Sequence, residues 1–224
     1  MLSLSKAEGR HLSRVRRIGE GSDVSVLNGC GEVGLAKVSS VDRDQVGLEI
    51  AEVLTFAAPE PKLTLLMGAL KQTAWDELLK HAVELGVNRI LRIQSDHAVS
   101  EVSADKLEKK AQRWRECMIE ACKQSGNPWC PSLDFAQSVT EACGDVKGIS
   151  CQFFAGLMED ARPLSDCLQA DAVGEICLWV GPEGDFSDRE YECIQAGGAK
   201  QISLGPRILR AETAALALLA RLRL

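Results

Sequence analysis

The fold is decided by two stretches near the end of the chain, Trp179-Val-Gly-Pro-Glu-Gly-Asp-Phe-Ser187 and Ile202-Ser-Leu-Gly-Pro-Arg-Ile-Leu-Arg-Ala-Glu-Thr213. Each begins inside or directly after a short apolar segment with the composition of a buried strand. Open α/β sheets bind their ligands in loops at the carboxyl ends of their strands. Either stretch alone is typical of a tight turn, whereas the two together predict a ligand site.

Outward from these loops, apolar strands alternate with helices back to about residue 62. Strands are predicted at Leu63 to Gly68, Val87 to Ile93, Ile149 to Phe154, Glu175 to Val180 and Lys200 to Leu204. Helices are predicted at residues 71–85, 104–123, 187–197 and 210–220, the third of them opened by a capping box from Ser187 to Glu190. This alternation predicts an α/β domain with a parallel sheet.

The N-terminal part has a different pattern. Asp23 to Leu27, Glu32 to Val38 and Val46 to Leu54 are β-rich and separated by turn residues, which predicts a small β-barrel of antiparallel strands. The stretch Ala57-Ala-Pro-Glu-Pro61 reads as a linker, because its prolines stop both helix and strand. We therefore predict two domains, residues 1–61 and 62–224.

Composition excludes several classes of protein. The 224-residue chain contains no run of about 18 apolar residues, so no transmembrane helix and no membrane partner are expected. Its N-terminus also lacks the apolar run of a signal peptide. The nine cysteines form no C-x-x-C pair and lie at no metal-ligand spacing with histidines. We expect a reduced, cytoplasmic protein without a structural metal.

A short basic segment precedes the predicted barrel. If residues 10–17 are helical, Arg10, Arg14 and Arg17 share one face. The net charge of −6 argues against sequence-blind attachment to nucleic acid, which needs many phosphate contacts. A local RNA-phosphate contact and a solvated helix face both remain open for these arginines.

The sequence Gly29-Cys-Gly-Glu-Val-Gly34 matches the dinucleotide-binding pattern G-x-G-x-x-G. That function requires a helix directly after the glycines, whereas residues 35–38 continue as a strand. We interpret the motif as a glycine-rich β-turn, which makes a nicotinamide-dependent oxidoreductase a remote alternative.

The two C-terminal loops resemble the signatures G-P-E-G-G-F-S…E and L-G-x-R-I-L-R-x-E-T-A of the bacterial 16S ribosomal RNA uridine-N3 methyltransferases. This family belongs to the knotted-trefoil (SPOUT) class. Three further stretches resemble the family in the expected order: His11-Leu-Ser-Arg-Val-Arg16, Glu84-Leu-Gly-Val87, and Arg113-Trp114 through Gln124-Ser-Gly126. The resemblance thus covers nearly the whole chain.

The resemblance implies a fold, a cofactor and partners. The N-terminal barrel is similar to PUA modules and would bind RNA, while the C-terminal α/β domain would contain a trefoil knot. The cofactor would be S-adenosylmethionine, the substrate ribosomal RNA of the 30S subunit, and the active form a homodimer that completes the site. The implied cofactor contacts are Phe154, Ala155, Gly181, Pro182, Glu183, Gly184, Leu204, Gly205, Ile208, Leu209 and Arg210.

The implied reaction transfers a methyl group to N3 of a uridine. N3 carries a proton at neutral pH, so the reaction needs a base and a cation near the oxygens where negative charge develops. We assign the cation to Arg210 and the base to Glu212 or Glu183. Both glutamates could instead cap a helix or hold Arg210.

The chain departs from the family pattern at several positions. His97 and Asn127 stand where the family has arginines, and Asp185 replaces a glycine. A further N-terminal strand of the family is missing, so either the start of the sequence lies late or the barrel lacks its first strand. Loss of fixed cations weakens anion recognition. Two alternatives therefore stay open: a knotted RNA methyltransferase with another target nucleotide, and a non-catalytic ribosome-assembly protein.

Overall fold

The computed structural model of the chain describes residues 2–10, 12, 18–42, 45–98, 104–156, 161–167 and 174–224. The chain divides into two compact units, Met1–Ala58 and Pro59–Leu224. The division falls inside the proline-containing stretch that was predicted as a linker.

The first unit is built on an antiparallel sheet. Its elements are β1 (Leu2–Ser3), α1 (Lys6–Arg10), β2 (Asp23–Leu27), β3 (Glu32–Asp42) and β4 (Gln45–Thr55). The strands lie in the order β1-β4-β3-β2, and this sheet corresponds to the small barrel expected from the sequence. The glycine motif forms the turn between β2 and β3, with Gly31 at φ 94° and β3 beginning at Glu32. Its interpretation as a β-turn is confirmed.

The second unit is an α/β domain. Its strands are β5 (Lys62–Gly68), β6 (Arg89–Ile93), β7 (Ser132–Ala136), β8 (Cys151–Ala155), β9 (Arg162–Pro163), β10 (Glu175–Val180) and β11 (Lys200–Ser203). Its helices are α2 (Gln72–Glu84), α3 (Ala104–Ser125), α4 (Val139–Asp145), α5 (Leu164–Cys167), α6 (Asp188–Ala196) and α7 (Ala211–Arg223). All pairings between its strands are parallel, which confirms the predicted fold class.

The sheet of this unit is buried on both faces because its central strands carry apolar residues on both sides. In β10, Ile176, Leu178 and Val180 belong to one core cluster together with residues of α2, α3 and α7. Cys177 and Trp179 point the other way and pack with residues of α4 and α6. This alternation is the period of two that a doubly covered parallel strand requires.

The strand order places β10 at the centre of the sheet and β11 two positions from it. The order is β7-β6-β5-β10-β8-β11-β9, so β10 lies between β5 and β8 although it follows both in sequence. After β5, the chain first forms β6 and β7 on one side of β5. The later strands, β8 to β11, lie on its other side. Ligands of open α/β sheets bind where the strand order reverses in this way.

No helix in the described part of the chain is both long and apolar enough to cross a membrane. The trefoil knot stays a prediction.

Candidate active site

A cavity of about 960 Å³ lies at the carboxyl edge of the parallel sheet. Four segments line it, each following a different strand: the start of α2 after β5, the end of β8, the loop after β10, and the loop and helix after β11. Ligand pockets of drug-sized molecules have volumes of roughly 300–1,000 Å³. The cavity is therefore large enough for a nucleoside-sized ligand.

Almost all of the predicted site residues line this cavity. Those that do are Ala155, Gly181, Pro182, Glu183, Gly184, Leu204, Gly205, Ile208, Leu209, Arg210 and Glu212. Phe154 does not: its side chain is 1% exposed and packs against Tyr191, with ring centroids 5.4 Å apart. Successive side chains of a strand point to opposite faces, so Phe154 belongs to the core on the other side of the sheet from the cluster that contains Phe153.

The loop after β10, residues Gly181–Ser187, is called the cofactor loop below, after the cofactor contacts that the sequence resemblance implies. It crosses directly over the end of β5 at Gly68. A Cβ atom on Gly68 would lie 2.5 Å from both the Cδ and the nitrogen of Pro182. Only glycine permits this approach, which brings the carboxyl ends of β5 and β10 together at the cavity.

Glu183 of the cofactor loop is bound to the start of α2. Its Oε1 accepts a hydrogen bond from the backbone N–H of Lys71 at 3.1 Å. Lys71 is the N-cap residue of α2 and has no side-chain cap of its own. Glu183 thus supplies a capping carboxylate from another segment, which is one of the roles left open by the sequence.

Asp185, which stands where the family pattern has a glycine, has a left-handed backbone conformation with φ 61°. Its Oδ1 accepts hydrogen bonds from the N–H of Phe186 at 2.9 Å and from the hydroxyl of Tyr191 at 2.6 Å. Aspartate tolerates the left-handed region because its short side chain can bond locally in this way. Burial, with a smaller contribution from Asp185, raises the pKa of Tyr191, so the phenol remains a donor.

The carboxyl-terminal end of the cofactor loop contacts the segment after β6. The carboxylate of Asp96 accepts from the hydroxyl of Ser187 at 2.6 Å and from the guanidinium of Arg189 at 2.7 and 2.8 Å. Hydrogen bonds from Arg189 and then Ser187 hold the pKa of Asp96 down, at about 2. The predicted capping box of α6 is present, with Glu190 accepting from the N–H of Ser187 at 2.8 Å.

The loop after β11 places the predicted catalytic cation and base on neighbouring positions of α7. Arg210 is the N-cap residue of α7, and Glu212 lies in its first turn. The turn before them contains Gly205 at φ 107°, where a Cβ atom would meet nothing within 4 Å. Ile208 beside the cavity is 82% exposed.

Three cations line the cavity without an acidic partner among the residues that the structure describes: Lys71, Arg207 and Arg210. Lys71 and Glu77 had not been predicted as site residues. The signal was available, because α2 follows β5 at the same carboxyl edge of the sheet as the predicted loops.

The other positions singled out in the sequence are Arg10, Arg14, Arg17, His97 and Asn127. Arg10 ends α1 in the first unit, and Arg14 and Arg17 lie outside the described residues. Nδ1 of His97 lies 3.0 Å from the carbonyl oxygen of Gly184 in the cofactor loop. Asn127 has become a structural residue, donating to Val83 O at 2.9 Å and accepting from the N–H of Trp129 at 2.9 Å.

Within the described ranges, no group of three or more histidine, cysteine, aspartate or glutamate residues is arranged to hold a metal ion. All nine cysteines are free.

The sequence model of the RNA methyltransferase domain family matches residues 58–223, which include every segment of the cavity. The chain belongs to this RNA methyltransferase family. A second model, of the RNA methyltransferase PUA domain, matches residues 4–51 in the first unit. Both halves of the chain thus match the domains that the sequence resemblance implied.

Relatives of known name and solved structure match over nearly their whole length. The ribosomal RNA small subunit methyltransferase E of Aquifex aeolicus is 30% identical, over 96% of this chain and 90% of the relative. A Legionella pneumophila methyltransferase crystallised with SAM superposes with a TM-score of 0.90 at 28% identity, covering 99% of this chain and 90% of that chain. The small subunit methyltransferase E of Neisseria gonorrhoeae, bound to S-adenosylmethionine, gives 0.89 at 27% identity, with 98% and 90% covered.

Proposed function

We propose that this protein transfers a methyl group from S-adenosylmethionine to N3 of a uridine in 16S ribosomal RNA. The observation that carries the proposal is that both signature loops line one cavity, at the place in the sheet where the strand order reverses. The small subunit methyltransferase E relatives and the S-adenosylmethionine complexes among the similar structures support it.

The cavity lining fits the cofactor. At Gly205 a Cβ atom would meet open space, so the backbone there can approach a flat ligand closely. Gly181 and Gly184 instead let the loop pack against Asp185 and His97. Leu204, Ile208 and Leu209 supply apolar surface for an adenine ring. When bound, S-adenosylmethionine supplies an electrophilic methyl group on its sulfonium.

Two residues at the start of α7 are suited to act on the target base. Arg210 is exposed on the cavity wall and has no acidic partner in the described part of the protein, so it can hold negative charge that develops on O2 or O4 of uracil. Glu212 is our choice for the proton acceptor at N3, since Glu183 already accepts from Lys71.

The surroundings of the cavity suit an RNA substrate. Lys71 and Arg207 add to Arg210 a positive rim that can contact phosphates on either side of the target. N3 is a Watson–Crick atom, so the uridine must be unpaired or turned out of a helix. We assign RNA binding also to the domain of residues 1–61, with Arg10, Arg14 and Arg17 as phosphate contacts on the strength of their spacing.

We further propose that the enzyme acts in the cytoplasm as a homodimer on the 30S subunit. The 82% exposure of Ile208, an apolar residue on the cavity wall, supports a partner subunit that covers this side of the site. The free thiols of the chain are in keeping with a reducing compartment.

The function is tested by incubating the purified protein with radiolabelled S-adenosylmethionine and 30S subunits from cells that lack this gene. Label mapped by mass spectrometry to N3 of one uridine in 16S RNA would support the proposal. Label on another nucleotide would favour a methyltransferase with a different target. That is the second candidate function, because His97 and Asn127 replace two family arginines. Cofactor binding without label on any RNA would favour a non-catalytic assembly protein.

Arg210→Ala should lower kcat at least about 100-fold, because the charge of Arg210 is needed only as the target uracil becomes anionic. The dissociation constant of S-adenosylmethionine should change by less than about threefold. Single-turnover methylation and calorimetric titration of the cofactor measure the two quantities. Arg221→Ala, at the far end of the same helix, is the control and should leave both unchanged. Unchanged turnover in Arg210→Ala would remove this residue from the mechanism.

A further inference from the structure

The cofactor loop is held from outside the cavity by the segment that follows β6. We call this segment, residues Gln94–Ala98, the clamp loop. Of its residues, none lines the cavity. Its contacts with the cofactor loop and with the first turn of α6 join two segments about 90 residues apart in sequence, since Asp96 and Ser187 are 91 positions apart.

The centre of this contact is the carboxylate of Asp96. Oδ2 accepts from the hydroxyl of Ser187 at 2.6 Å and from Nε of Arg189 at 2.8 Å, while Oδ1 accepts from Nη2 of Arg189 at 2.7 Å. A two-pronged arginine–carboxylate pair fixes orientation as well as distance. Asp96 therefore determines where the cofactor loop ends and α6 begins.

A buried glutamate ties the backbones of the two loops together. Glu190 is 6% exposed, and its Oε1 accepts from the N–H of Asp96 at 3.0 Å. Its Oε2 accepts from the N–H of Ser187 at 2.8 Å. One carboxylate thus satisfies a donor from each loop, and a shift of the clamp loop would leave a buried polar group unpaired.

His97 extends the contact to the part of the cofactor loop that lines the cavity. A Cβ atom on Gly184 would lie 3.0 Å from the Cβ of His97, so the two backbones are packed without spare room. Gly184 is also one of the residues on the cavity wall. A displacement at Asp96 is therefore transmitted to the ligand side of the loop.

We propose that Asp96 is a positioning residue, which holds the cofactor loop in its binding conformation through Ser187 and Arg189 without touching the ligand. The inference rests on the proposed role of the cavity as the S-adenosylmethionine site. A loop that is held before the ligand arrives loses less conformational freedom on binding, so the clamp raises affinity.

The test uses the full-length protein in four variants: Asp96→Asn, Arg189→Gln, the double variant of both, and Asp145→Asn. The last is a matched control, because Asp145 is also a partly exposed aspartate paired with an arginine, but that arginine, Arg89, lies in β6 and not in α6. Calorimetric titration with S-adenosylmethionine gives the dissociation constant, and thermal unfolding without ligand gives the stability of each variant.

We expect the dissociation constant to rise about fivefold in each of the two clamp variants, Asp96→Asn and Arg189→Gln. It should rise no further in the double variant, because both changes remove the same ion pair. Asp145→Asn should leave it unchanged whatever its effect on unfolding. In methylation assays, the clamp variants should raise the KM for S-adenosylmethionine and change kcat by less than about twofold, because no group proposed to act on the base is altered.

Wild-type affinity in Asp96→Asn and Arg189→Gln would overturn the positioning role while leaving the proposed function intact. Equal losses of affinity in Asp96→Asn and Asp145→Asn would overturn it as well, since they would reflect general destabilisation. Failure of the wild-type protein itself to bind S-adenosylmethionine would instead refute the proposed function.

Discussion

Asp185 shows how a single replacement can keep the shape of a glycine-dependent loop. The residue has φ 61°, a region in which residues with a Cβ are strained by roughly 1–2 kcal/mol. Its hydrogen bonds to Phe186 and Tyr191 offset that cost. The left-handed conformation of Asp185 is thus stabilised by hydrogen bonds within the cofactor loop and to the nearby helix α6.

The balance between backbone strain and hydrogen bonding at Asp185 predicts the order of stability of its variants. Asp185→Ala loses the hydrogen bonds and keeps the strain, whereas Asp185→Gly loses the same bonds and relieves it. We expect the glycine variant to be more stable than the alanine variant by about 1 kcal/mol, with the alanine variant less stable than wild type. Urea unfolding measures all three, and equal free energies for the two variants would contradict the explanation.

Site residues could be predicted from the sequence where they lie in a continuous signature. Gly181 to Gly184, Leu204, Gly205 and Ile208 to Arg210 belong to two such stretches, and they line one cavity. Lys71 was missed because it reaches the cavity through the neighbouring strand β5 rather than through a motif. The position of the Phe154 side chain depends on the face of β8 from which it projects, which the loop signature does not record.

At the scale of elements, the crossing of the cofactor loop over the end of β5 sets the shape of the cavity. Gly68 lets Pro182 pass at a distance that no larger residue allows. The same crossing brings Glu183 to the N-terminus of α2, so helix, strand and loop are fixed at one point. Packing at this point therefore affects stability and ligand binding together.

Gly68→Ala should lower the free energy of unfolding by about 1–3 kcal/mol, because the new Cβ atom would overlap the backbone of Pro182. It should also raise the dissociation constant of S-adenosylmethionine, since the cofactor loop must move. Urea unfolding and calorimetric titration measure the two effects.

Gly144→Ala is the control for this substitution. A Cβ atom there meets nothing within 4 Å, and the residue lies in α4. We expect it to stabilise the protein by up to about 1 kcal/mol with unchanged cofactor affinity. If Gly68→Ala behaved like Gly144→Ala, the crossing would not constrain the loop.

Elements with a strong apolar pattern were predicted nearly to the residue, whereas weak ones were missed. β5 and β10 are central strands with almost continuous apolar sequence, and their bounds agree with prediction within one residue. β7 is an edge strand with polar residues at Ser132 and Asp134, and α4 spans only Val139–Asp145. Neither is long or apolar enough to produce a clear periodic signal.

At the scale of the whole α/β unit, its last helix is tied to its first strands through Arg223. The guanidinium donates to the carbonyl oxygens of Pro61 at 2.7 Å and Gly86 at 2.9 Å, and to Oδ1 of Asn88 at 2.6 Å. Burial lowers the pKa of Arg223, yet the group stays charged at neutral pH. α7 also packs against α2 and β10, so this arginine holds together the beginning and the end of the unit.

Arg223→Met should lower the free energy of unfolding by about 2–3 kcal/mol, because it leaves partly buried carbonyl oxygens without a donor. Guanidinium unfolding measures the change. Arg221→Met, an exposed substitution in the same turn, should cost less than about 0.5 kcal/mol. Similar costs for the two substitutions would show that the Arg223 contacts contribute little.

The position of β10 also bears on how the protein is made. Synthesis on the ribosome proceeds from the N-terminus, so β5, β6 and β7 emerge long before the strand that pairs with the other edge of β5. A nascent chain that stops before Lys200 lacks both β11 and α7, and with them one wall of the cavity. The cavity that we propose for S-adenosylmethionine is therefore complete only after α7 has been synthesised.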